Sequence, residues 1–209
     1  MSSKERVKKG SPLVISEGIA FETPSRPLFK DLDLTISEGE IVAVTGQSGS
    51  GKSVLLRILQ GSEHSAFGTI DWPGEVKISY VPQFLDQITL APDATIEELF
   101  YQARGLLEAA RREKSAAERL SYDTSEEAIT AHAEALEGYA ELGGYTAEAD
   151  AESIIAGLNI GRRITLSTKL NELSSGQRTK LLIGQALFAN PDLLIMDDPT
   201  SNLDVQSRE

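Results

Sequence analysis

Residues Gly46-Gln47-Ser48-Gly49-Ser50-Gly51-Lys52-Ser53 constrain this chain more than any other stretch. They follow an apolar run, Ile41-Val42-Ala43-Val44, read as a strand, and they lead into Val54-Leu55-Leu56-Arg57-Ile58-Leu59, read as a helix. The pattern G-x-x-x-x-G-K-[ST], in a strand–loop–helix setting, is that of a phosphate-binding loop. The glycines let the backbone curl so that N–H groups point inward at an anion. The helix N-terminus adds partial positive charge. The whole loop from Gly46 to Ser53, with Val54 behind it, is therefore expected to hold a nucleoside triphosphate. In this reading Lys52 reaches the β/γ-phosphates and the Ser53 hydroxyl ligates Mg²⁺. A mere Gly/Ser-rich turn beside a stray lysine leaves the flanking strand and helix patterns unexplained.

Composition narrows the setting. The 209 residues carry 20 Lys+Arg against 32 Asp+Glu, a net charge of −12, so a surface coated in basic groups for nucleic acid is excluded and no DNA partner is expected. There is no cysteine, hence no disulfide framework or thiolate metal site, and the two histidines, His64 and His132, cannot build a zinc site alone. No apolar run approaches the ~18 residues of a membrane span, and no signal h-region opens the chain. A cytoplasmic location follows as an expectation. Lys4, Arg6, Lys8 and Lys9 suggest a basic, flexible tail over residues 1–12.

Past the tail, residues 13–45 read as strands and turns, with Leu32, Leu34 and Ile36 alternating with Asp33 and Thr35. Further short β signals surround Pro73-Gly74 and end at Lys77-Ile78-Ser79-Tyr80-Val81. Residues 95–157 turn rich in Ala, Glu, Leu and Arg, an inserted helical subdomain between core segments 13–94 and 158–209. Within it one helix is expected over about 95–120 and a second over about 125–142, forming a hairpin, with a shorter one over about 147–157. Thr95 with Glu98 and Thr124 with Glu127 fit capping boxes, as do Ser174 with Gln177 at the start of a helix running to about Ala189. Strands alternating with helices, and a phosphate loop at a strand end, predict an α/β fold with a mostly parallel core sheet.

Two further signals join the loop. Leu193-Leu194-Ile195-Met196 is an apolar strand delivering Asp197 and Asp198. Asp197 is placed to hold Mg²⁺ and Asp198 to orient an attacking water. Leu173-Ser174-Ser175-Gly176-Gln177 is a helix start with small residues and free backbone N–H groups, suited to an anion. Together these motifs resemble the ABC ATPases. Gln83 stands after Tyr80-Val81-Pro82 as the Q-loop, residues 173–177 as the signature, 193–198 as Walker B, and Ser201-Asn202-Leu203-Asp204 as the D-loop. The resemblance covers about residues 19–204. It implies an ATP-binding cassette with a small antiparallel β-subdomain and an enlarged helical one, using ATP and Mg²⁺. Gln83 would join Lys52 and Asp198 in catalysis and Ser53 and Asp197 at the metal. A second cassette, in the same longer chain or in a second copy, would place Ser174, Gly176 and Gln177 against the ATP held by this loop's partner.

Spacing refines the resemblance. Lys52 and Gln83 are 31 positions apart, short for a transporter cassette, whereas Gln83 and Ser174 are 91 apart, which is long. That combination, and the stretch 134–158, resembles the first cassette of an ABC-F translation factor, implying a ribosomal partner. Arg104, Arg111, Arg112, Lys114 and Arg119 outnumber Glu108, Glu113 and Glu118 over 100–121, a stretch suited to phosphate backbone, or simply a solvated face with a Glu108–Arg112 pair. The alternatives are the ATP-binding subunit of a transporter, docked on a membrane subunit, and an ATP-dependent dimerisation module with weak turnover.

The chain departs from the family in four places. Asp198 stands where a glutamate is usual and Ser175 where a second glycine is. Thr23 falls at the position of the adenine-stacking aromatic, leaving Phe21 as the nearest ring. The switch histidine is absent, which reads as a fragment with an incomplete C-terminal part.

Overall fold

The computed structural model describes residues 10–83, 91, 93–161 and 163–199. Residues 1–9 of the expected tail and the D-loop residues Ser201–Asp204 lie outside the described residues, and the tail is shorter than expected at its end, where Pro12 already opens the first strand and the Ser11 carbonyl accepts the Glu38 N–H at 3.0 Å. The chain divides into two compact units: described residues up to Gln83 with Pro191–Asp198, and the described residues between 91 and Asn190 with Pro199.

In the first unit, β1 (Pro12–Glu22) is the centre of a three-stranded antiparallel sheet in the order β2–β1–β3, flanked by β2 (Pro27–Ser37) and β3 (Phe67–Asp71). Val14 faces Ile36 and Ser16 faces both Leu34 and Ile70. The alternation expected over 32–36 holds: Asp33 and Thr35 are exposed while Ile36 is buried. Helix α1 (Lys52–Gln60) buries Leu55 and Leu59, which join Leu13, Val14, Ile19 and Ile36 in one core. That core also takes Leu193 and Ile195 of β5 (Leu193–Met196), which pairs in parallel with β4 (Ile78–Val81). The pair is locked at its start: the Lys77 N–H donates to Asp192 Oδ2 at 2.8 Å, and the Asp192 N–H to the Lys77 carbonyl at 2.8 Å.

The apolar run 41–44 is not a strand among the described residues. Ile41 is 97% exposed and Val42 40%. A strand exists only beside a hydrogen-bonding neighbour. Here β1 pairs with β2 and β3, and β4 with β5, and none of them takes this run as a neighbour among the described residues. Among the described residues parallel pairing is limited to the two-stranded sheet of β4 and β5.

The second unit is helical. The single helix expected over 95–120 is two, α2 (Ile96–Arg104) and α3 (Leu106–Leu120), because Gly105 takes a left-handed φ of 78° and both ends one helix and starts the next. Helices α3 and α4 (Glu126–Glu141) pack as the expected hairpin. The cap of α4 is Ser125, whose hydroxyl accepts the Ala128 N–H, and not Thr124. Asp123 sets this register by accepting the Ser125 N–H at 3.0 Å. The boxes at Thr95 and Ser174 form as expected. Helices α5 (Ala147–Leu158) and α6 (Ser175–Phe188) complete a core of Ile96, Leu99, Phe100, Leu106, Ala147, Ala151, Leu181 and Phe188. Gly184 lets α6 approach closely, since a Cβ there would meet Leu158 at 2.7 Å and Phe100 at 3.1 Å.

The basic stretch of 100–121 is largely neutralised. Arg104 turns inward: its Nε donates to the Phe188 carbonyl at 2.8 Å, its Nη1 pairs with Asp150 at 2.9 Å, and its guanidinium lies 3.8 Å over the Phe188 ring. Arg111 pairs with Glu108, one residue away from the expected Glu108–Arg112 pair, and Arg119 pairs with Asp123.

Replacing Arg104 by Leu strands the Phe188 carbonyl and removes the cation–π contact, a loss of about 2–3 kcal/mol. Thermal unfolding should show a fall of roughly 5–10 °C for a domain of this size. Arg111→Ala, removing a pair that is 74% and 67% exposed, should change stability by less than about 1 kcal/mol. Equal effects from the two substitutions would refute the assignment of Arg104 to the core.

Candidate functional site

The loop Gly46–Ser53 enters α1 through Gly51, whose φ of 99° opens the helix. A Cβ on Gly51 would meet Leu28 at 3.0 Å and Phe29 at 3.2 Å, so the loop rests on the start of β2. The N-terminus of α1 has no side-chain cap and no acid in its first turn. Its first N–H groups are thus left for an external acceptor. Lys52 Nζ donates to the Gly46 carbonyl at 2.9 Å and the Gln47 carbonyl at 3.0 Å, spanning the loop's mouth. An ammonium carries three donors, so one remains for an anion. Ser53 and Val54 follow in the first turn of α1, and Ser48 and Ser50 lie within the loop, where the Ser50 N–H closes a turn onto the Gln47 carbonyl at 3.2 Å.

At the ends of β4 and β5 the acids are arranged differently from one another. Asp197 is only 7% exposed, and its N–H donates to the Val81 carbonyl at 2.9 Å. The Tyr80 hydroxyl donates to its carboxylate at 3.4 Å. Burial, and then the Asp197 charge, push the Tyr80 phenol above its ordinary value, so it remains a donor at neutral pH. Asp198 is exposed, with a left-handed φ of 46°, and its Oδ2 faces Gln83 Nε2 at 3.5 Å. Three-member acidic or histidine clusters that suit a metal are absent among the described residues. One buried carboxylate and a serine hydroxyl nonetheless fit Mg²⁺, which takes one or two carboxylates and completes its shell with phosphate and water. Asp197 and Ser53 would hold it, with Gln83 beside Asp198.

Phe21 is half-buried and its ring packs on Phe29, centroids 6.5 Å apart. Thr23 builds the β1–β2 turn: its hydroxyl donates to the Arg26 carbonyl at 2.8 Å and accepts the Arg26 N–H at 3.2 Å. Arg26, which sequence reasoning passed over, reaches the phosphate loop, its Nη2 donating to the Gly49 carbonyl at 2.8 Å. The local pattern gave no signal for it, because the contact joins two loops 23 residues apart.

In the helical unit Ser174 caps α6. Its Oγ accepts the Gln177 N–H at 3.3 Å, and Gln177 Oε1 accepts the Ser174 N–H at 2.9 Å. Gln177 Nε2 donates to the Ile160 carbonyl at 3.0 Å, so this side chain holds the helix start in place. Open space surrounds Gly176, where an added Cβ would meet nothing within 4 Å.

The family described as ABC transporter matches residues 29–201. The chain is 32% identical over 192 residues to the tylosin resistance ATP-binding protein TlrC of Streptomyces fradiae, covering 90% of this chain and 34% of that protein. It is 32% identical over 186 residues to the lipoprotein-releasing system ATP-binding protein LolD of Shewanella oneidensis, covering 87% of this chain and 69% of that protein. A solved structure described as a putative ABC transporter (ATP-binding protein) from Pyrococcus furiosus shares the fold, with a TM-score of 0.64 at 17% identity, covering 95% of this chain and 80% of that one. The chain spans about a third of the length of the first curated relatives it matches, 34% for TlrC and 36% for the probable ATP-binding protein YbiT of Escherichia coli O157:H7. The chain belongs to the ABC transporter family, as an ATP-binding cassette. Cassettes of this family are ATPases, so ATP is the ligand implied for the loop, with Mg²⁺ as its usual companion.

Lys52→Ala removes a charge-assisted contact to phosphate, worth about 1.5–3 kcal/mol. ATP affinity measured by calorimetry should fall roughly 10- to 100-fold. An unchanged affinity would remove Lys52 from the site.

Proposed function

We propose that this cassette is an ATP-driven clamp, binding MgATP on the loop Gly46–Ser53 and closing on a second cassette that supplies its own signature helix. The single observation that carries this reading is the uncapped start of α1 with Lys52 across the loop. That is a set of donors awaiting a polyanion. Mg²⁺ would neutralise phosphate charge. Asp197 and Ser53 hold it, Ser174 and Gly176 act across the interface on the partner's nucleotide, and Asp198 with Gln83 orients the attacking water. Transport is the setting supported by LolD, most of whose length the chain covers. A membrane subunit then receives the cassette, consistent with the absence, among the described residues, of any helix long and apolar enough to cross a membrane.

A second reading, a two-cassette translation factor of ABC-F type acting on the ribosome, draws on the α3–α4 hairpin and on relatives about three times as long as the chain. The inward turn of Arg104 and the pairing of Arg111 and Arg119 weigh against it by reducing the cationic face available to RNA. Fractionation of cells expressing the full-length gene with Asp198→Asn, in the presence of ATP, separates the two. Sedimentation with membranes supports the transport setting, and sedimentation with ribosomes replaces it.

Turnover is slow in this proposal. Asp198 is one methylene shorter than glutamate, which sets the carboxylate back by roughly 1.5 Å. Misplacement of about 1 Å can cost on the order of 10²-fold. Asp198→Glu should therefore raise phosphate release at least about 10-fold at unchanged ATP affinity. A turnover that Glu fails to raise would contradict this role for Asp198.

A further inference from the structure

The carboxylate of Asp197 is buried, and its hydrogen bonding is incomplete. An ionised carboxylate offers about four acceptor positions. Among the described residues one side chain donates to it, the Tyr80 hydroxyl, and it does so to Oδ2 at 3.4 Å. Oδ1 takes no donor there. Nor is Oδ1 sealed from solvent, because the fully enclosed side-chain atoms without a partner are Glu38 Oε2 and His132 Nδ1. Arg57 is close enough for its charge to act on the Tyr80 phenol, yet it forms no ion pair with Asp197. One oxygen is thus committed to a tyrosine and the other is left open.

Strand register brings Tyr80 to this acid. Parallel pairing sets Tyr80 beside Ile195. Asp197 extends the ladder by one bond, its N–H donating to the Val81 carbonyl at 2.9 Å. Side chains two apart on an extended strand share a face, so Asp197 follows Ile195 on the face where Tyr80 lies. The Tyr80 ring packs against the core of Leu55, Leu59, Leu193 and Ile195. That packing fixes the ring, and with it the position of the hydroxyl. The carboxylate has no comparable restraint of its own, because rotation about the last bond of an aspartate is broad and roughly two-fold. A donor on Oδ2 selects one setting and leaves Oδ1 to a cation. Leu55 and Leu59 belong to α1, whose first turn carries Ser53. One core therefore supports both proposed Mg²⁺ ligands and the side chain that orients one of them.

We propose that Tyr80 is a positioning residue for the Mg²⁺ site, its hydroxyl setting the Asp197 carboxylate so that Oδ1 is ready for the ion. This rests on the MgATP reading above. A hydrogen-bonding partner behind a metal ligand contributes about 10- to 100-fold in metal affinity. The test is ATP binding by equilibrium dialysis over a Mg²⁺ titration, and again in chelator, for the purified protein, Tyr80→Phe, Asp197→Asn and the double variant. Tyr80→Phe keeps the ring and removes the hydroxyl. It should raise the Mg²⁺ concentration needed for tight ATP binding about 10- to 100-fold and leave binding in chelator within about 2-fold. In the Asp197→Asn background it should change the response to Mg²⁺ no further, since residues acting through one another are not additive. An unchanged Mg²⁺ requirement in Tyr80→Phe overturns the proposal. Equal losses with and without Mg²⁺ also overturn it, by making the hydroxyl a general support of the fold, as does a Mg²⁺ effect that persists beside Asp197→Asn. Where Tyr80→Phe fails to fold, 3-fluorotyrosine placed at position 80 gives a second readout. Its fluorine NMR signal should shift when Mg²⁺ is added to the ATP-bound protein, and a signal that Mg²⁺ leaves unmoved contradicts the proposal. Unmodified protein that binds no ATP in either condition overturns the nucleotide reading itself, and the role of Tyr80 with it.

Discussion

A backbone loop that turns its N–H groups inward is held from outside, because those groups cannot also bond the loop to its surroundings. Here the hold has three parts. Lys52 spans the Gly46 and Gln47 carbonyls, Arg26 takes the Gly49 carbonyl, and Gly51 packs onto Leu28 and Phe29 so closely that no Cβ would fit without a shift. The rest of the first unit serves that arrangement. Leu55, Ile58 and Leu59 bury one face of α1 and so fix the direction in which its uncapped end points. Leu193 and Ile195 of β5 share a core with two of them.

The same core sets the position of the acids. Parallel pairing of β4 and β5 puts Val81 beside Met196, and the next residue, Asp197, is tied to the Val81 carbonyl. A carboxylate that is 7% exposed is costly unless it is satisfied. Tyr80 supplies one donor, and a divalent cation would supply the larger compensation. Asp198, one residue on, is in solvent with a left-handed backbone. Adjacent acids thus have distinct environments, which suits one for binding a metal and the other for meeting water. The helical unit is held by a different device. Arg104 joins the end of α2 to α5 through Asp150 and to the end of α6 through the Phe188 carbonyl, with its plane on the Phe188 ring.

What could be read from the sequence was local. The caps at Thr95 and Ser174 form because a capping box needs only four consecutive residues, and the register of β2 follows from a two-residue period. The family was legible because its motifs are short and ordered. What escaped reading depends on distant neighbours. The run Ile41–Val44 looks like a strand, yet strand identity belongs to a pair, and no described strand pairs with it. Gly105 sits in a helical composition, and only its left-handed φ shows that it divides two helices. The inward turn of Arg104 is a choice of side-chain direction, and the reach of Arg26 joins two loops. Neither leaves a trace in local spacing.

The account's central claim is that the loop and the buried Asp197 together make one MgATP site. Equilibrium dialysis with labelled ATP, in Mg²⁺ and again in a chelator, tests it most directly, comparing the unmodified protein with Asp197→Asn. The account predicts binding in both conditions, tightened by Mg²⁺ in the unmodified protein and indifferent to Mg²⁺ in the variant. Binding that ignores Mg²⁺ in the unmodified protein, or a variant that keeps the full metal dependence, would contradict it.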